Sequence, residues 1–166
     1  MRFPCLRHGD TVVTESAAIC AYLADAFSEA GLAPPPGSRL RGPWYRWLFF
    51  GAGPVEAAAT NRAMGFVLPK DREAMAGYGS FAAVMDTLEG AVSRGDYLVG
   101  DGFTAADVYL GAQIGWGMVF GTVERRPAFE RYWERIRTRP AALRAKAADD
   151  ALMAERQAAA PPPKAG

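Results

Sequence analysis

The pattern of apolar and polar residues changes from strand-like alternation to helical spacing within the first thirty positions of this chain, and then stops. Residues 4–8 and 11–14 alternate and are rich in β-formers, with Gly9-Asp10 between them. Glycine at the first central position of a two-residue loop suits a type II′ hairpin. From Glu15 to about Phe27 the apolar residues Ile19, Tyr22, Leu23, Ala26 and Phe27 recur at helical spacing. Ala33-Pro34-Pro35-Pro36-Gly37 then interrupts all periodicity. Three consecutive prolines cannot continue a helix and favour a stiff, extended strap, so this stretch reads as a linker between two modules.

Beyond the linker the pattern is helical throughout. Trp44, Trp47, Leu48, Gly51 and Val55 mark one face of a second helix, which Pro43 and Gly53-Pro54 should bend or segment. A third helix is expected from Asp71 to Val92, with Tyr78, Phe81, Ala82, Met85, Leu88 and Val92 inward. Gly95, Gly100 and Gly102 break the pattern. Thr104-Ala105-Ala106-Asp107 opens a fourth helix reaching about Val119. Pro127 at a first helical position opens a fifth, with Phe129, Tyr132, Trp133 and Ile136 on one face, and Pro140 opens a sixth that fades into the alanine-rich tail. The expected architecture is mainly α: an all-helical bundle preceded by a β-hairpin and one helix.

Composition narrows what such a chain can do. Its 166 residues suffice for one ordinary domain, or one domain plus part of another. Half are hydrophobic and 22% charged, as in a packed globular protein. A net charge of +1 gives no global field for nucleic acid or acidic lipid. The arginines 125, 126, 131, 135, 137 and 139 alternate with Glu130 and Glu134, which reads as a solvated face. The apolar stretches are too short for a membrane span and the N-terminus lacks a signal-peptide core, so a soluble, cytoplasmic protein is expected. Cys5 and Cys20 form no Cys-x-x-Cys motif, and His8 has no companions, so neither dithiol chemistry nor a metal site is expected. Free cysteines are commonly small buried apolar residues.

An isolated two-stranded hairpin is marginal in water even with one helix behind it, and its edges invite pairing. The front module is therefore expected to be the back half of a larger sheet domain, truncated at its N-terminus.

Two stretches carry a family resemblance. One is Phe3-Pro4-Cys5-Leu6 through Thr14-Glu15-Ser16-Ala17-Ala18-Ile19 to Tyr22-Leu23. The other is Tyr97-Leu98-Val99-Gly100-Asp101-Gly102-Phe103-Thr104-Ala105-Ala106-Asp107. In this order, flanking a proline linker, they resemble the glutathione S-transferase family. The resemblance implies residues 1–30 as a partial thioredoxin-like domain, 31–37 as linker, 38–157 as the helical C-terminal domain and 158–166 as a disordered tail.

It also implies a ligand. Pro4 would be the family's cis-proline, exposing the backbone of Phe3 to the cysteinyl part of glutathione. Ser16 and the Glu15-Ser16 backbone would hold the γ-glutamyl carboxylate, with Glu15 near its amine. A helix N-terminus suits a carboxylate on physical grounds, through open N–H groups and a positive dipole end. The plainer alternative is that Thr14 or Ser16 only caps the helix. Trp44, Trp116 and Phe120 would, by the same resemblance, line a hydrophobic second-substrate site, although their helical spacing favours the core for any single one of them. Thr104 and Asp107 read as a capping box, with aspartate replacing the usual Glu or Gln, worth about 0.5–2 kcal/mol.

The family's thiol-activating residue lies upstream of the cis-proline, and no residue here is assigned that catalytic role. Glutathione is expected as co-substrate rather than cofactor, with a small electrophile as second substrate and a homodimer as the family's usual assembly. The other reading is a non-catalytic helical interaction module, or a gene fragment.

Overall fold

The computed structural model describes residues 4–159. β1 (Cys5–His8) and β2 (Thr11–Thr14) pair antiparallel, Cys5 opposite Thr14 and His8 opposite Thr11. Gly9 takes φ +59° while Asp10 stays at negative φ, the combination a type II′ turn requires. α1 (Ser16–Ala26) follows at once and lies against α5 and α2. Its buried residue is Ala24, with Cys20 and Ala21 packed beside it, whereas Ala26 and Phe27 point to solvent.

The proline segment is not a free spacer. Pro34 is buried, and its carbonyl accepts from Arg41 Nε at 2.8 Å. Leu32 carbonyl accepts from Ala105 N–H at 2.8 Å, so the strap is sewn to the start of α5 (Ala105–Phe120).

α2 (Arg41–Phe50) buries Trp44, Trp47 and Leu48. At Gly53-Pro54 it passes through a π-helical turn, Gly51–Val55, into α3 (Glu56–Ala63). Proline has no N–H to continue the α ladder, and a π-bulge absorbs the lost bond without ending the helix.

The third predicted helix needs correcting. Only Phe81–Val92 is α-helical (α4), preceded by a 3-10 segment, Lys70–Met75. Gly79 at φ +70° breaks the run, and Ser80 caps α4 by accepting from Ala83 N–H at 3.2 Å. The later start moves the core face: Val84 is buried and Ala82 exposed, while Met85, Leu88 and Val92 are inward as expected.

α6 (Pro127–Arg137) and α7 (Pro140–Ala158) each open on proline at the first helical position. Phe129, Tyr132 and Ile136 are buried, and α7 buries nothing. α5 is the central element, with Leu110 and Ile114 fully buried. Its glycines let α6 approach: an added Cβ at Gly115 would lie 2.5 Å from the Trp133 ring. Among the arginines, Arg125 pairs with Glu130 and Arg137 with Glu134 on the surface. Arg126 instead reaches Asp86 and Glu89 of α4, at 2.8 and 2.7 Å, pinning that helix to the start of α6. Among the described residues no helix is long and apolar enough to cross a membrane.

Candidate functional site

The junction of β2 and α1 has an unusual backbone. Glu15 stands at φ 69°, ψ 124°, the one non-glycine residue at positive φ among those described. Such a conformation costs about 1–3 kcal/mol for an ordinary residue. It turns the chain from strand to helix within one residue, and the Glu15 carbonyl accepts the first helical bond from Ile19 N–H at 2.9 Å.

No side chain caps α1. The expectation that Thr14 or Ser16 merely caps the helix is therefore corrected: Glu15 occupies the N-cap and Ser16 is already the first helical residue. Both are exposed. The first-turn N–H groups, the Ser16 hydroxyl and the positive end of the helix dipole thus face solvent together, which suits a carboxylate. Phe3 and the Phe3–Pro4 bond lie outside the described residues; Pro4 itself is exposed, immediately before β1. Nearby, the His8 ring and Tyr22 hydroxyl are 3.0 Å apart across the hairpin and helix.

The aromatic candidates separate sharply. Trp44 is fully buried and offers no surface to a second substrate, which corrects that assignment in favour of core. Trp116 and Phe120 are 58% and 72% exposed, with rings 5.7 Å apart and nearly parallel at 17°. These two are not core. They occupy the side of α5 opposite Leu110 and Ile114.

Thr104 and Asp107 form the expected capping box, and it extends further than a cap. Asp107 is fully buried. Its Oδ2 accepts from Thr104 N–H at 2.8 Å and from the Thr104 hydroxyl at 3.0 Å. Its Oδ1 accepts from Leu98 N–H and from the Tyr132 hydroxyl, both at 2.8 Å. Burial, with the Asp107 carboxylate alongside, pushes the Tyr132 phenol far above its usual range. The pair closes on itself and holds three segments together, so its role is folding.

Two polar residues of α5 escaped sequence reading. Gln113 Nε2 donates to Gly51 carbonyl at 3.1 Å and to Tyr109 Oη at 3.3 Å. Position 51 has no room for a side chain, since a Cβ there would sit 2.8 Å from Tyr109 and from Gln113. Burial pushes Cys20 above the usual thiol range, so it is a poor nucleophile at neutral pH. Cys5 is exposed.

A family model, glutathione S-transferase, C-terminal domain, matches residues 54–140, just over half of the chain. The chain belongs to the glutathione S-transferase family. A crystal structure of a glutathione transferase from Methylococcus capsulatus is 30% identical, with TM-score 0.72, covering 89% of this chain and 73% of that one. A glutathione S-transferase from Actinobacillus pleuropneumoniae is 26% identical, with TM-score 0.71 and coverage of 89% and 68%. A sphingomonad glutathione S-transferase, solved in complex with glutathione, is 27% identical, with TM-score 0.71 and coverage of 90% and 74%. The two stretches that suggested this family therefore pointed correctly.

Proposed function

We propose that this glutathione S-transferase family member binds glutathione through the N-terminus of α1. The γ-glutamyl carboxylate takes the open N–H groups and the Ser16 hydroxyl, and Glu15 faces the amine. The observation that carries this reading is the exposed, uncapped α1 terminus with Ser16 at its first position, in a chain of this family. The reaction served is attack of the glutathione thiolate on a small electrophile, with Trp116 and Phe120 on the apolar side.

Binding and turnover are separable. Turnover also needs a donor or positive charge close to the sulfur, and no residue among those described is assigned that role. Retention on immobilised glutathione tests binding: wild type is retained, and Ser16→Ala elutes at roughly tenfold lower glutathione, as expected for a hydrogen bond to a charged group. Equal retention of both proteins overturns the site. Conjugation of 1-chloro-2,4-dinitrobenzene tests chemistry. Retention without turnover favours a non-catalytic, glutathione-binding module.

A further inference from the structure

The seam between the front module and the bundle holds an open cleft of about 720 Å3. Three walls enclose it. Asp25 and Ser28, at the far end of α1, form the first, and the proline strap forms the second. The third is the loop before α5, through Asp101, Gly102 and Phe103. Clefts of about 300–1,000 Å3 at such junctions, with apolar walls and a few polar groups, are where small molecules bind.

The charges of this cleft favour a cation. Asp25, Arg41 and Asp101 are the charged residues that line it, two acids against one base. Arg41 is already engaged by Asp25, the Pro34 carbonyl and the Tyr45 hydroxyl. Asp101 is exposed and has no ion-pair or hydrogen-bond partner among the described residues. The strap adds acceptors, because Pro34, Pro35 and Pro36 carry carbonyls and no N–H. The Pro36 carbonyl takes no donor among the described residues. The proline rings, Leu40 and Phe103 supply apolar surface beside these groups. Gly102 keeps the cleft open, since a Cβ added there meets nothing within 4 Å.

We propose that this cleft binds small organic cations, with an ammonium head facing Asp101 and an aromatic or aliphatic body against the strap, Leu40 and Phe103. The site is distinct from the candidate glutathione site. Asp25 lies nine residues beyond Ser16 in α1, about 14 Å along the helix at 1.5 Å per residue. A ligand here touches both modules at once, so it holds the front module against the bundle. A lone surface contact between an ammonium group and a carboxylate would not do so.

The test compares three naphthalenes of matched shape, 2-naphthylmethylammonium, 2-naphthalenemethanol and 2-naphthoate, by ligand-observed NMR titration of the whole chain at low salt. Wild type should bind the amine about three- to tenfold tighter than the alcohol, the range of a partly shielded charge contact, and the carboxylate more weakly still. Asp101→Asn should bring the amine to the level of the alcohol. Gly102→Leu, which fills open space, should weaken amine and alcohol together. At ten times its Kd the amine should slow amide exchange in α1 about tenfold, a readout that needs no variant to fold. The proposal is overturned if the amine does not bind, if it binds no better than the alcohol, or if its preference survives Asp101→Asn. Unchanged binding in Gly102→Leu, unaltered exchange in α1, or displacement of the amine by glutathione overturns it equally.

Discussion

The front module and the bundle are stabilised in different ways. β1 and β2 bury none of their residues, and α1 buries only Ala24 fully. Along α4, α5 and α6 the buried face is continuous, and Asp107, in its middle, has every partner it needs. The bundle supplies its own burial and nearly all of its hydrogen bonding; among the described residues the buried side-chain atoms left without a partner are Trp44 Nε1 and Gln113 Oε1. The front module is held from outside, by α5 and α2, by the Leu32–Ala105 bond and by Arg41. An exposed, strained and uncapped helix start is tolerable there because little else depends on it, whereas the same geometry inside the bundle would leave buried donors unsatisfied.

The largest expected effect is at Asp107. Asp107→Ala strands the N–H groups of Leu98 and Thr104 and the Tyr132 hydroxyl in a buried site, at about 1–3 kcal/mol each. A loss of about 4 kcal/mol or more is expected, against a total of about 5–15 kcal/mol for a domain. That exceeds the value of a cap alone, because the carboxylate also serves the 98 loop and α6. Urea unfolding followed by circular dichroism should show a much lower midpoint. A drop within the range of an ordinary cap would mean that the network is not a unit.

Gly115→Ala comes next. The added methyl meets rigid indole atoms of Trp133, which must move, and overpacking of this kind costs about 1–3 kcal/mol. The gain in helix propensity, about 1 kcal/mol, offsets part of it. At Gly111 the closest atom is the terminal Cδ1 of Ile136, which can rotate away, so Gly111→Ala should cost less. Thermal melts of the two variants decide the order.

The bundle was legible because its signals are local. Pro127, Pro140 and Thr104 mark helix starts, and the Trp44–Val55 stripe is a plain helical period. The stretch 71–80 misled because Met75, Tyr78 and Phe81 suit that period too, while Gly79 and Ser80 stop the helix. Trp116 and Phe120 read as core since spacing shows that residues share a face, not which face is covered. In the candidate site, the motif singles out Ser16, which the structure places at the first position of α1. No motif signals the positive φ of Glu15, nor Tyr109 and Gln113, because Gln113 acquires its role from Gly51, 62 positions earlier in the chain.

The cysteines sharpen the contrast between the modules. Cys5 on the exposed hairpin should react with a disulfide reagent in a single fast phase at pH 7.5. Cys20, at the seam with α5, should react slowly, and its rate should keep climbing with pH beyond the point where an ordinary thiol levels off, since burial opposes the thiolate. Equal rates for the two, resolved with Cys5→Ser, would mean that α1 separates from α5 freely.

The smallest expected effect is at Arg41. Its guanidinium spans Asp25 of α1, the Pro34 carbonyl and the Tyr45 hydroxyl, joining the front module to α2. Asp25 is half-exposed, and exposed ion pairs contribute about 0.2–1 kcal/mol. The bond to Pro34 is better shielded. Arg41→Ala should therefore lower global stability by no more than about 1.5 kcal/mol. Its effect should fall on local opening instead, because the bundle does not use this contact. Amide exchange in α1 should accelerate several-fold in Arg41→Ala, while exchange in α5 and α6 stays at the wild-type rate. If α5 accelerates equally, the two modules unfold as one, and the front is no more loosely held than the core.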